Sequence, residues 1–274
     1  EGYTEAEFLK LFYENVCQPD TVIMGFNSVR FDDEFMRNTL WRNFYDSYEW
    51  QWMDGRSRWD LIDVVRMIRA LRPDGIKWPF DDKKQPTNRL ELLTKLNGLD
   101  HENAHDALSD VYATIAVAKL LKEKQPKTFE YLFNVRGKKA VSKIVSVEDP
   151  KPFLYTSGRY SNMWQKTTAV LPIAPAKNGA VLVFDLRVDP SEFAQLDDEK
   201  LTGVLFSRDE ETELLPVKVL KANTCPAVAP LGVLDEPTQK RLGLTIKTIE
   251  ENYKKLTSLQ GFAQRVQDLH EKQD

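Results

Sequence analysis

The chain has 274 residues, 42% of them hydrophobic and 29% charged, with a formal net charge of -4. That length and apolar content suffice for a buried core and leave room for two domains, which excludes a disordered chain. A mean hydropathy of -0.47 and the lack of any apolar run near about 18 residues exclude a membrane-spanning helix and predict a protein that lies on no membrane.

Taken in chain order, the pattern opens with an amphipathic helix over Glu5–Asn15, with Phe8, Leu11 and Phe12 on one face. Residues 21–26, Thr-Val-Ile-Met-Gly-Phe, read as a short buried strand. Residues 27–30 break that pattern, and residues 31–44 can be helical. A short strand near Trp59 and a helix over Leu61–Leu71 follow, with Asp60 placed to cap it. Residues 73–87 read as a loop built on Pro-Asp-Gly and Trp-Pro. Residues 89–96 and 106–122 return to helical spacing, and residues 119–135 continue it with an interruption at Pro126. Residues 142–152 read as a linker and strand start. Strand signals then dominate at 167–171, 180–188 and 217–220, with a helical turn at 200–205 and a charged helical tail over 238–273. These elements divide into a helix-rich unit, 1–127, and a β-rich unit, 128–274. The fold class expected is mixed α/β (α+β).

Cys17 and Cys225 are the only cysteines and lack metal-type spacing, which predicts reduced thiols in a cytoplasmic protein; no signal peptide is visible. Residues 1–127 carry the whole net charge of -4, whereas 128–274 sum to about zero. Within the second unit, residues 136–177 hold eight basic and two acidic side chains, interleaved with Phe153, Tyr155, Tyr160 and Trp164. Cations for phosphates and rings for bases suit a single nucleic-acid strand, and Arg159, Trp164 and Lys166 are the residues expected to touch it. An ordinary solvated surface with core aromatics is the alternative.

The chemistry concentrates in two places. Asp32 falls at a strand-to-helix junction, where a sheet's carboxyl edge and a helix N-terminus form a common crevice. His105 and Asp110 are five residues apart, about 140° around a helix, so they meet only if His105 lies in the loop entering the helix and Asp110 in its first turns. Two carboxylates and a histidine are half of a metal-dependent phosphodiester-cleaving site. Asn27, Arg30 and Phe31 flank Asp32 and are candidates for contacting a terminal nucleotide; Phe31 reads equally well as a core ring.

The pattern Asn27-x-x-x-Phe31-Asp32, followed some seventy residues later by His105-x-x-x-x-Asp110, resembles the DEDD superfamily of 3′–5′ exonucleases in its histidine-containing branch. Longer blocks resemble the bacterial exodeoxyribonuclease I family: Gly25 to Glu34, Arg42-Asn43-Phe44-Tyr45-Asp46, Ser57 to Leu61, Ala70 to Ile76, Asn103 to Ala107, Asp110 to Ala116, and Arg241-Leu242-Gly243. The resemblance implies a ribonuclease-H-like exonuclease core followed by a small Src-homology-like β domain. It implies two Mg²⁺ ions, with Mn²⁺ as a substitute, held in part by Asp32 and Asp110, and His105 as general base. It also implies single-stranded DNA as substrate and the acidic tail of single-stranded DNA-binding protein as partner. Arg66, Arg69 and Arg72, at three-residue spacing, are either a dock for that tail, a phosphate track, or a solvated face.

The family's first motif, Asp-x-Glu on an early strand, is not found before Asn27. The chain therefore reads as an internal fragment lacking the first three strands and a C-terminal helical domain, inactive by itself; a short pseudo-enzyme is the alternative. The expected function is 3′–5′ hydrolysis of single-stranded DNA to mononucleotides by a monomer. Its rival is a non-catalytic strand-binding or partner-docking module.

Overall fold

A computed structural model describes residues 2–99, 107–205 and 216–273. The elements in chain order are α1 (Glu5–Asn15), β1 (Val22–Gly25), α2 (Asp32–Arg42), β2 (Ser57–Asp60), α3 (Leu61–Leu71), α4 (Leu90–Leu96), α5 (Ala107–Lys124), α6 (Pro126–Asn134) and α7 (Lys138–Ile144). There follow β3 (Phe153–Thr156), β4 (Thr167–Ala176), β5 (Ala180–Asp185), α8 (Ser191–Ala194), α9 (Asp198–Leu205), β6 (Val217–Leu220), β7 (Ala227–Pro230), α10 (Glu236–Leu242), α11 (Ile246–Ser258) and α12 (Phe262–Gln273). The mixed α/β class expected from the sequence is the observed one.

Local chemistry explains most boundaries. Thr4 and Glu7 form a reciprocal capping box that starts α1. Asp60, Asp235 and Thr245 cap α3, α10 and α11 through their side-chain oxygens. Pro126 opens α6 at a position where a missing N–H costs nothing. Two expectations need correction. The segment 142–152 begins inside α7, because Lys138–Ile144 buries Val141 and continues helically past the Gly137 break. The tail over 238–273 is three helices rather than one. Gly243 and Gly261, at φ 56° and 74°, take up left-handed backbone that ends one helix and turns the chain into the next.

Five strands form an antiparallel sheet in the order β6-β5-β4-β3-β7. Its faces separate at period two. Leu154, Ala169, Leu171, Leu182, Phe184 and Ala229 enter one core with α3, which contributes Leu61, Val65 and Ile68. Phe153, Tyr155, Val170, Val183 and Val228 enter a second core with Val141, Val145 and Tyr160. The first core is continuous across residues 1–127 and 128–274, so α3 belongs to both units energetically. Each fully buried Leu or Phe in it contributes about 1.5–3 kcal/mol.

The first unit contains a sheet of two parallel strands among the described residues, with Val22 opposite Ser57 and Gly25 opposite Asp60. All four β1 residues are only half-buried, and Phe31, Phe35, Trp41 and Phe44 nearby are exposed. A two-stranded parallel sheet, whose strands are each paired on one side only among the described residues, is marginal. Native-state hydrogen exchange should therefore divide the first unit: amides of α3 should be protected as strongly as those of β3 to β5, while α1, β1 and α2 exchange faster. Uniform protection over residues 5–71 would contradict this.

Candidate functional site

Asp32 is the first residue of α2 and Asp110 lies in the first turn of α5. Both side chains line one open cavity of about 1330 Å³. Its walls include Ile23, Met24 and Phe26 from β1 and its exit, and Thr114 and Ile115 from α5. The structure thus brings together two carboxylates predicted from the sequence. The expected position of His105, in the loop entering α5, lies outside the described residues.

The segment between β1 and α2 is a tight turn. Asn27 sits in the left-handed region at φ 62°, a conformation that asparagine tolerates better than most residues. A Cβ on Gly25 would come within 2.4 Å of the Ser28 Cβ, so glycine is required where the strand turns. The buried Asp60 carboxylate accepts the backbone N–H of Asn27 at 2.8 Å, of Val29 at 3.1 Å and of Ile62 at 3.0 Å. Burial pushes the Asp60 carboxyl above its usual range, against the opposing pull of those three N–H groups. Immediately after Asp32, the buried Asp33 pairs with the buried Arg58 of β2. Phe31 is 72% exposed, so its ring is not a core anchor but an open apolar face beside Asp32.

Cations gather on the other side of the cavity, at the seam with the second unit. Arg66 and Lys166 line it. Lys166 Nζ donates to the Gly158 carbonyl at 3.0 Å. Arg66 Nη1 pairs with Asp63 at 2.7 Å and approaches the space a Gly158 Cβ would fill to 2.9 Å. Arg30 and the exposed Arg159 lie near enough to push down the ionisation of Lys218. Lys218 is half-buried, donates to Ser157 Oγ, and sits 5.4 Å and 5.3 Å from the ring centroids of Tyr155 and Tyr160. Burial, opposed by Asp63 and aided by Arg159, Arg30 and Arg66, pushes its ammonium down to about 7. Sequence reasoning missed Lys218; the available signal was one cation in the apolar strand Val217-Lys218-Val219-Leu220.

Two expected sets change on inspection. Trp164 is half-buried, with the Arg187 guanidinium 4.3 Å from its ring centroid and its six-membered ring packed over Gly243. It is a packing ring between the turn before β4 and the tail helices, not an open platform for a base. Arg66, Arg69 and Arg72 do not form a stripe, because three-residue steps fall about 60° short of a full turn and accumulate to about 120° over six residues. Arg66 faces the cavity. Arg69 is buried, donating to the carbonyls of Thr87 and Pro79 and stacking near Trp78 and Phe80, so it pins the 73–87 loop. Arg72 turns to the second unit, where it binds the Val233 carbonyl at 2.9 Å and Asp235 at 3.3 Å.

Of the carboxylates that line the cavity, Asp33 is paired with Arg58 and Glu91 with Arg89, and Asp81 accepts backbone N–H groups of its own loop, which leaves Asp32 and Asp110 as the hard oxygen donors free to face an ion. That fits Mg²⁺ or Mn²⁺, which take one or two protein carboxylates together with water and phosphate oxygens. Among the described residues no group of three or more His, Cys, Asp or Glu could hold a metal ion, so these two carboxylates are a partial donor set. Among the described helices none is long and apolar enough to cross a membrane.

Two family profiles match. One, described as Exonuclease, covers residues 7–118, and the other, Exonuclease I SH3-like domain, covers residues 136–272, half of the chain. Exodeoxyribonuclease I of Haemophilus influenzae is 42% identical over 98% of this chain and 58% of its own length. A structure of Escherichia coli exonuclease I in complex with a 5cy-dT13 oligonucleotide superposes with a TM-score of 0.90 at 40% identity, covering 98% of this chain and 58% of that one. A structure of SSB/exonuclease I in complex with the inhibitor CFAM gives a TM-score of 0.87 at 39% identity, with the same coverage. The chain therefore spans a little under three-fifths of the length of these relatives.

Proposed function

The chain belongs to the exodeoxyribonuclease I family, and on that premise we propose that it is the metal-carboxylate and strand-binding part of a 3′–5′ exonuclease acting on single-stranded DNA. The observation that carries this reading is the convergence of Asp32, Asp110, Arg66 and Lys166 on one cavity. We divide the chain at about residue 127 into two units, and the cavity takes Asp32, Arg66 and Asp110 from the first and Lys166 from the second. The oligonucleotide bound by the E. coli relative supports a single strand as the occupant. The SSB/exonuclease I structure supports a partner of that kind, for which Arg72 is the most exposed of the three arginines. A cytoplasmic monomer is the setting we infer.

Asp32 and Asp110 would hold divalent ions, which we infer to be Mg²⁺. When bound, such ions lower the pKa of the attacking water and neutralise charge on the leaving 3′ oxygen. Phe31 covers the terminal nucleotide from the α2 side, while Asn27 and Arg30 bracket its sugar and phosphate. Arg66 and Lys166, which line the cavity, and the exposed Arg159 near them orient the following phosphates. His105 takes the proton from the attacking water, a role to which an imidazole is suited. Among the described residues no third ligand joins Asp32 and Asp110 in a group that could hold a metal ion, so the 274 residues alone should bind a strand but cleave it very slowly.

Equilibrium binding of an oligonucleotide across a salt series tests the strand-binding wall. Arg159→Ala and Lys166→Ala should each reduce the slope of log K against log salt by about 0.7. Trp164→Ala should instead lower thermal stability, by roughly 2–4 kcal/mol for a partly buried ring. An unchanged slope in both lysine and arginine variants would assign this wall to ordinary surface.

A further inference from the structure

Helix α2 begins without a side-chain cap at Phe31. Something else must fix its first turn, which carries Asp32. Two residues of β2, Arg58 and Asp60, stand two positions apart and so project from the same face of the strand. Asp60 ties down the backbone of Asn27 and Val29, on the N-terminal side of Asp32. Arg58 pairs with Asp33, on its C-terminal side. The Arg58 guanidinium also donates to the Asn223 carbonyl, and the Cys225 thiol donates to the Arg58 carbonyl at 3.3 Å. The turn after β6 thereby supports the same grip from the second unit.

We propose that Arg58 and Asp60 are positioning residues that together fix where the Asp32 carboxylate stands in the cavity. Asp60 does more than cap α3: one of its oxygens serves Ile62 and Asn27, and the other serves Val29 alone. A residue that only capped the helix would need one acceptor. The bond to Val29 and the strained backbone of Asn27 have no part in α3, and they lie on the path into α2. Supports of this kind, once removed, cost about 10–100-fold in metal affinity. The inference rests on the proposed metal role of Asp32.

The test uses the 274-residue chain, Mn²⁺ as probe, and two readouts: Mn²⁺ affinity from water-proton relaxation, and deuterium exchange of the segment 26–36. Asp60→Ser retains an oxygen able to cap Ile62 but too short to reach the turn. Arg58→Lys keeps the charge and loses the fork. Each should speed exchange over 26–36 and weaken Mn²⁺ binding about tenfold or more, with exchange in α3 unchanged. Asp60→Asn, nearly isosteric, should show the same pattern in milder form if the serine variant folds poorly. Unchanged exchange over 26–36, or faster exchange with unaltered Mn²⁺ affinity, overturns the proposal. Asp32→Asn is the separate control: if it binds Mn²⁺ as the parent chain does, the metal reading of Asp32 fails, while the exchange readout still judges whether Arg58 and Asp60 hold the turn.

Discussion

Lys218→Met should remove most of the rise in stability that the protein shows between about pH 7 and pH 10. The Lys218 ammonium is pushed from 10.5 down to about 7, first by burial and then by Arg159, Arg30 and Arg66, with Asp63 opposing. Below pH 7 both folded and unfolded chains carry the proton, and the folded state bears the full desolvation cost. Between 7 and 10.5 the unfolded chain keeps the proton and the folded chain releases it, so stability rises with pH in that window. A shift of this size corresponds to roughly 4 kcal/mol, allowing for partial exposure of the side chain. Above about pH 10 the trend reverses. Tyr13, pushed up to about 12 mainly by burial, and Tyr155, raised by burial, keep their protons in the folded state while the unfolded chain loses them. Urea melts of the parent and the variant at about pH 6.5, 8 and 9.5 check this. A stability difference between the two proteins that does not change with pH would mean that Lys218 keeps an ordinary ammonium.

Asp32→Ala and Asp110→Ala should each cut the rate of single-strand cleavage by about 10³-fold or more in a polypeptide that joins this chain to the family's Asp-x-Glu segment. Metal ions contribute several kcal/mol of charge stabilisation in such a reaction, and each 1.36 kcal/mol is a factor of about ten, so losing a ligand that holds them forfeits about that much. His105→Ala should lose about 10²–10⁴-fold, the range for a general base. Strand affinity without metal should stay within about threefold of the parent, because neither aspartate faces a phosphate favourably without an ion between them. Single-turnover rates on an oligonucleotide separate these effects. A turnover within about tenfold of the parent for Asp32→Ala would place the metal site elsewhere.

The elements that carry the site were legible because their signals are local. The helix over Leu61–Leu71 and the capping role of Asp60 follow from periodicity and one side chain. The strand at 21–26 and the helix after Phe31 placed Asp32 correctly at a strand-to-helix junction. What failed depended on three-dimensional partners. Regular spacing made three arginines look equivalent, yet the drift of about 60° per step sends Arg66 to the cavity, Arg69 under Trp78, and Arg72 to Asp235. Trp164 sits in a basic, aromatic stretch, but Gly243, almost eighty residues on, supplies the bare backbone on which its ring packs. The strand β7, Ala227–Pro230, was passed over because Ala-Val-Ala-Pro is short and weak in propensity; it is held by pairing with β3. Lys218 and Arg58 were missed for a like reason: their importance lies in contacts with residues far along the chain.

We propose that the cavity of Asp32 and Asp110 serves cleavage from the 3′ end of a single strand. The most direct measurement follows one oligonucleotide, labelled at either end, in Mg²⁺ with the joined polypeptide and with the 274 residues alone. The joined polypeptide should release a 3′ label immediately as mononucleotide and give a descending ladder from a 5′ label, and the 274 residues alone should bind with negligible shortening. Early release of the 5′ label, internal cuts, or rapid Mg²⁺-dependent shortening by the 274 residues alone would contradict it.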